Sequence, residues 1–309
     1  MTDHHPILVT GAGGGVGGIG RRVAENLSAR GIAVRAEVHH DDDRAEALRA
    51  LPNVEVTVGD LTAGPDVVAA LDGCRRMYFG MSVSPDYLAA SATVAAAALD
   101  GGALELLVNM SQMTVSQMHL TGVTESHQQR LHWLAEHVFN WSGLPVTHLR
   151  PTVFMENPLF DLLAAVSIQQ DGTLSLPFGN ARTSPVAAHD VADVATRVLT
   201  DDPRRHAGHV YELTGGTSRD MNAIAGEFSA ILGRPVRYAD VPYDQWLEGC
   251  LKPLGLSPHL LDHIATMARL HKQNRYDRAT SDIAELLGRP PSGFEDLVEE
   301  TPALQALAA

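Results

Sequence analysis

Ile7-Leu-Val-Thr-Gly-Ala-Gly-Gly-Gly-Val-Gly-Gly-Ile-Gly20 is the stretch that decides the fold. Three apolar residues and a threonine run into glycines at 11, 14, 17 and 20, and beyond them Val23 and Leu27 lie four apart. That order reads as a buried strand, a turn suited to glycine, and a helix with one apolar face. A main chain without Cβ atoms lets a diphosphate approach closely, while the first N–H groups and the dipole of the helix face it. The loop therefore points to a dinucleotide site formed by Gly11, Gly14, Gly15, Val16, Gly17 and Gly20. A flexible glycine turn with no ligand is the competing reading.

Outward from this loop the same rhythm repeats. Short β-rich runs follow at Val34–Val38, Val54–Val58, Met77–Phe79, Leu104–Val108 and Val146–Leu149, each closed by a turn residue and separated by helical stretches. Six such runs imply βαβ units and a parallel sheet, and most are apolar on consecutive positions, as expected when helices cover both faces. The clearest helical period spans Gln128–Trp141, with Gly143 as its stop. After Pro151 the rhythm breaks into a loop-rich span. Helices are expected from a Ser218 cap to Leu232 and over Asp244–Leu251, Pro258–His271 and Ser281–Leu287. The expectation is an α/β protein: a Rossmann-like doubly wound parallel sheet over residues 1–151, with a smaller, mostly helical C-terminal substrate subdomain over 152–309. The boundary is soft, and a return of the chain to the sheet is left open.

Composition narrows the function. The 309 residues carry 23 Lys+Arg against 37 Asp+Glu, a formal charge of −14, and only 5% aromatic residues. An acidic surface with few stacking platforms argues against nucleic acid as a main ligand. Two cysteines, Cys74 and Cys250, make no disulfide framework. The start shows no secretory pattern, and no run reaches the ~20 apolar residues of a membrane span. The expected setting is cytoplasmic, without membrane contact. A small-molecule substrate is the expected partner, and a homo-oligomer or a regulatory protein partner stays open.

Beyond the loop, Gly59-Asp-Leu61, Leu149-Arg-Pro-Thr-Val-Phe-Met-Glu-Asn157, Tyr211-Glu-Leu-Thr-Gly-Gly216 and Leu232-Gly-Arg-Pro-Val236 complete a pattern that spans most of the chain. It resembles the NmrA-like branch of the atypical short-chain dehydrogenase/reductases. The resemblance implies NAD(P) bound on a Rossmann domain, in a group that holds both quinone reductases and cofactor-sensing regulators without chemistry. Gly20 takes the place of the third family glycine, so the loop carries three extra residues. Asp60 and Leu61 match the family's adenine contact, with a helix-capping turn as the alternative. Gly80, Met81 and Ser82 follow the fourth strand, where small residues allow a cofactor to approach.

The choice of dinucleotide stays open. The second strand ends Val38-His39-His40-Asp-Asp-Asp43-Arg44, with His39 or His40 where NADP binders of the branch would carry Arg. Imidazole lacks the planar fork that grips a 2′-phosphate, and three carboxylates repel it; Arg44 or Arg35 would have to compensate.

Standard short-chain dehydrogenases pair a Tyr and a Lys four apart on one helix. Counting back from Ala135-Glu136 and Ser142-Gly-Leu-Pro145 places Gln128 at the Tyr position and His132 at the Lys position. An amide cannot replace a phenol as proton donor. His132, with an ordinary pKa near the working range, is the remaining candidate for a proton or a ribose contact, with a packed helix histidine as the plain reading. Ser111 matches the family serine. Phe154 and Asn157, after the sixth strand, are candidates for the substrate side. Reducing a carbonyl needs a proton relay and reducing a quinone needs far less. The leading expectation is thus NAD(P)H-dependent hydride transfer to a quinone-like or similarly activated acceptor, and the alternative is a dinucleotide-binding sensor that acts through a partner protein. No metal is expected: His259 and His263 lie four apart, but no third ligand is identifiable.

Overall fold

The computed structural model describes residues 5–14 and 16–308. Strands β1 (Ile7–Val9), β2 (Val34–Val38), β3 (Val54–Val58), β4 (Arg76–Phe79), β5 (Leu106–Met110) and β6 (Val146–Pro151) alternate with helices α1 (Ile19–Ala29), α2 (Asp43–Arg49), α3 (Gly64–Leu71), α4 (Tyr87–Gly101) and α5 (His127–Ser142). The chain continues through α6 (Leu162–Asp171), β7 (Thr173–Leu176), β8 (Arg182–Thr183) and α7 (Ala188–Thr200). It then forms β9 (Val210–Leu213), β10 (Arg219–Asp220), α8 (Met221–Leu232), β11 (Arg237–Asp240), α9 (Tyr243–Trp246), α10 (Pro258–Lys272), α11 (Asp282–Leu287) and α12 (Phe294–Glu300).

Seven strands form one sheet in the order β3-β2-β1-β4-β5-β6-β9, all pairs parallel. Strand order reverses between β1 and β4, so the loops after these two strands diverge and open a crevice at their carboxyl ends. The buried strands are covered on both faces because their side chains alternate between two cores. Leu106 and Val108 of β5 join the core under α1 and α7, whereas Leu107 joins the one under α4 and α5. Strand β3 is the exception that explains its own sequence: it pairs only with β2 and is half-exposed, so Val-Glu-Val-Thr-Val alternates.

A third core holds the C-terminal part together, joining α6, β7, α8 and α10. The chain also returns to the main sheet: α7 packs on α1, and β9 pairs with β6. Strand β9 carries the mixed sequence Val-Tyr-Glu-Leu at a sheet edge, which hides it from a pattern search. Helices α5 and α10 match expectation to within a residue at each end, and three other helices differ in how they start or stop. The cap of α8 is Asp220, whose carboxylate accepts from the Ala223 N–H at 2.8 Å; the Ser218 hydroxyl instead donates to Asp277. Helix α9 ends at Trp246 and continues as a wide π turn over Leu247–Leu251. Helix α11 begins at Asp282.

Candidate active site

The glycine loop is built by contact with its surroundings. Thr10 Oγ1 donates to the Gly80 carbonyl at 2.9 Å and accepts from the Gly80 N–H at 3.0 Å, tying the end of β1 to the end of β4. Gly11 has φ +65°, and a Cβ there would lie 2.5 Å from the Gly80 oxygen. A Cβ on Gly20 would lie 2.7 Å from the Gly11 oxygen, so this glycine lets α1 press against the turn. The cap residue of α1, Gly18, has no side chain with which to cap the first N–H groups of the helix. Gly17 lines neither cavity of the site; a Cβ there would strike Ala188 at 2.4 Å, so its role is packing against α7. Gly15 lies outside the described residues, and Val16 opens a short 3-10 turn to Gly18.

Two cavities meet at Gly11, Gly14, Met81 and Ser82 to form one groove. The outer one, of about 400 Å³, lies over the ends of β2 and β3 and is lined by Glu37, His39, His40, Asp42, Arg44, Asp60 and Leu61. Arg44 is already engaged: its guanidinium donates to Asp42 Oδ2 through Nε at 3.0 Å and Nη2 at 2.5 Å. Arg35 is turned away toward Glu55 and the carbonyls of Ala70 and Asp72, so it offers nothing to this cavity. Asp60 closes a turn by accepting from the N–H and hydroxyl of Thr62, and these bonds hold its carboxyl below the usual range. Glu37 is the residue that pattern reading passes over. It is 4% exposed beneath the loop, and burial, aided by Asp60 and Asp66 against a hydrogen bond from Gly11, pushes its carboxyl up to about 7. A lone acid in an apolar strand was the available signal.

The inner cavity, about 390 Å³, lies past the ends of β4, β5 and β6 and brings together Gly80, Ser111, His132, Phe154 and Asn157. Helix α5 is fixed at its start by a capping box between Ser126 and Gln129, and the Ser126 hydroxyl also meets His263 Nδ1 of α10 at 2.9 Å. Gln128 Oε1 accepts from the Ser84 N–H at 3.2 Å and from His259 Nε2 at 2.8 Å. The main-chain N–H can only donate, so the amide orientation is set, and Gln128 Nε2 must donate to His132 Nε2 at 3.1 Å. His132 is therefore neutral with its proton on Nδ1, and that buried atom has no protein partner among the described residues. Burial, with His263 nearby, pushes its pKa down to about 3. The expectation of a proton donor near neutral pH is thus corrected: His132 can offer a hydrogen bond from Nδ1 but is not an acid.

Ser111 is committed as well. Its hydroxyl donates at 2.5 Å to Glu136, a buried carboxylate also clamped by Arg150 through Nε at 2.9 Å and Nη2 at 2.6 Å. The serine oxygen can accept from a ligand while its proton stays with Glu136. Asn157 accepts from the Leu159 N–H at 3.1 Å, and Phe154 bridges to Val186. Helix α10 closes the cavity with Leu260, His263, Ile264 and Met267, and Tyr276 follows it. Among the described residues the lining holds no Asp, Glu, Lys or Arg. Burial keeps His263 down at about 4 and raises the phenols of Tyr78 and Tyr276 above their ordinary range.

His259 and His263 turn to Gln128 and Ser126. Among the described residues, Glu156, His189 and Glu300 come within 4.8 Å of one another, but Glu156 accepts from the Ala188 N–H and Glu300 pairs with Arg22. No helix among the described residues is long and apolar enough to cross a membrane.

Comparison with known proteins bears on the groove as a whole. The chain is 26% identical over 288 residues to the NAD(P)H azoreductase of Xenophilus azovorans, covering 93% of this chain and 95% of that protein. An NADPH-dependent quinone oxidoreductase of Escherichia coli, solved with NADPH, superimposes with a TM-score of 0.80 at 22% identity over 95% of this chain and 98% of that one. NmrA, a negative transcriptional regulator solved with NADP, gives 0.76 at 19% identity over 96% and 95%. These structural likenesses are of fold. The model of a family described as NAD(P)H-binding matches residues 14–202, more than half of the chain. The chain belongs to this NAD(P)H-binding family.

Proposed function

We propose that the protein transfers hydride from NAD(P)H to a quinone-like or other activated small acceptor. The observation that carries this reading is an inner cavity without an ionised side chain or a group that is acidic near neutral pH. His132 is neutral, the Ser111 hydroxyl hydrogen is engaged by Glu136, His263 is neutral, and Tyr78 and Tyr276 are weaker acids than free phenols. An alkoxide formed from an ordinary carbonyl would meet no donor there that is acidic near neutral pH. A quinone gives a hydroquinone anion far less basic than an alkoxide, which needs no positioned acid as hydride arrives and takes its proton later from solvent, and a cavity lined by Met, Phe, Ile and Leu suits a flat neutral molecule.

The residues present fit a dinucleotide. In this reading the main chain at Gly11 and Gly14, and the uncapped N-terminus of α1 that Gly20 brings close, hold the diphosphate. His39, Arg44, Asp60 and Leu61 surround the adenosine, and Gly80, Met81 and Ser82 border the middle of the groove. The cofactor supplies the hydride. His132 Nδ1 donates to a ligand oxygen, Ser111 accepts from an N–H or O–H, and Phe154 and Asn157 flank the acceptor. Helix α10 keeps water from the cavity. The names of the azoreductase and the quinone oxidoreductase agree with acceptors of this kind.

Oxidation of NADH and NADPH by a panel of benzoquinones, naphthoquinones and azo dyes, beside simple aldehydes and ketones, tests the reading. Turnover confined to the activated acceptors supports it. Brisk ketone reduction refutes it, and tight dinucleotide binding with no turnover favours a sensor instead.

A further inference from the structure

We propose that the outer cavity selects NAD(H) over NADP(H), and that the carboxylates of Glu37 and Asp42 make the choice. The inference rests on the dinucleotide placement proposed above, with the adenosine ribose at the carboxyl end of β2, where Rossmann domains hold it.

Charge on this wall is one-sided. Glu37, Asp42, Asp60 and Asp86 line the cavity, and Arg44 is the one Arg or Lys among the described lining residues. Its guanidinium is spent on Asp42, in a pair that also fixes the start of α2, since Asp42 accepts from the Arg44 and Ala45 N–H groups. A 2′-phosphate, close to a dianion at neutral pH, would have to pull Arg44 from that pair and still face the remaining acids. Arg35 cannot come to its aid, because its guanidinium is held beneath the sheet edge by Glu55 and two carbonyls. His39 and His40 pack ring against ring with centroids 4.4 Å apart, and His39 Nδ1 lies 3.3 Å from the Gly59 carbonyl.

Glu37 adds a repulsion that is relieved only by taking up a proton. Its carboxyl is buried under the loop, beside Asp60 and Asp66, and already holds its proton more tightly than a free acid. A second anion above it raises the same cost, whereas a ribose 2′-hydroxyl adds no charge and donates to whichever acid it meets. A phosphate close to a dianion beside these acids is disfavoured by about tenfold or more in affinity.

Isothermal titration of the full chain with NADH, NAD⁺, NADPH and NADP⁺ at pH 8 reads this without requiring turnover. The expected result is binding of the non-phosphorylated pair tighter by about tenfold or more, in a ratio that narrows as salt screens the cavity. Glu37→Gln and Asp42→Asn should each narrow the ratio, chiefly by tightening NADP(H). Asp42→Asn keeps a side chain able to cap α2, so the test survives if the buried variant folds poorly. NADPH binding as tightly as NADH overturns the selectivity and leaves the proposed hydride transfer standing. A preference for NADH unchanged in both variants overturns the role given to these carboxylates. No heat with any of the four removes the dinucleotide placement, and the inference with it.

Discussion

Replacing Glu37 with Gln should make the protein more stable above pH 7 and leave it nearly unchanged in mild acid. Glu37 sits 4% exposed between the glycine loop and β3. Burial is the main reason its carboxyl rises from 4.5 to about 7, with Asp60 and Asp66 adding to it and the Gly11 N–H opposing it. Between those two values the folded chain binds a proton that the unfolded chain has lost, so stability falls as pH rises. Below the unfolded value both states are protonated and nothing is lost. Above about 7 the whole penalty is present. At about 1.4 kcal/mol per pH unit it amounts to about 3 kcal/mol. A glutamine keeps the shape and carries no charge, but its buried NH₂ group gives back about 1 kcal/mol unless it finds an acceptor. The net gain at pH 8 is therefore about 2 kcal/mol. Urea denaturation of both proteins at pH 5 and pH 8 measures it, and comparing variant with wild type cancels the other titrating groups. A difference in stability that is the same at the two pH values would refute the argument.

Gly20→Ala places a Cβ 2.7 Å from the Gly11 carbonyl and should cost about 1–3 kcal/mol while weakening dinucleotide binding. Gly226→Ala, on an open face of α8, should instead stabilise by about 0.5–1 kcal/mol, and thermal melts of the pair test both. Arg150→Met leaves Glu136 buried without its cation and should cost about 3–5 kcal/mol, with part of the loss recovered by adding Glu136→Gln; a loss below about 1 kcal/mol would count against the clamp on Ser111. In the native protein a thiol reagent should label the exposed Cys250 rapidly and spare Cys74, which is 2% exposed and has its thiol pushed up to about 11; two fast thiols before denaturation would contradict this.

Several features of the molecule are local, and these could be read from the chain alone. The run Ile7–Val9 and its successors are apolar because the sheet is covered twice, and the glycines after Thr10 follow from conformations that Cβ atoms obstruct. Gly143 ends α5 in the left-handed conformation, as its position after the helical period requires. Strand β9 was not legible, because Val-Tyr-Glu-Leu becomes a strand only by pairing with β6 some sixty residues earlier.

The βαβ scaffold and the glycine turn were therefore written in short stretches of the chain. The state of the site came from contacts between distant segments. Ser84 and His259, from elements far apart in the chain, orient Gln128 and so fix the proton of His132; Arg150 and Glu136 take that of Ser111; Asp42 occupies Arg44; and the loop buries Glu37. Protonation and charge pairing depend on distance and dielectric, which are set by residues brought together through folding and leave no periodic trace along the chain.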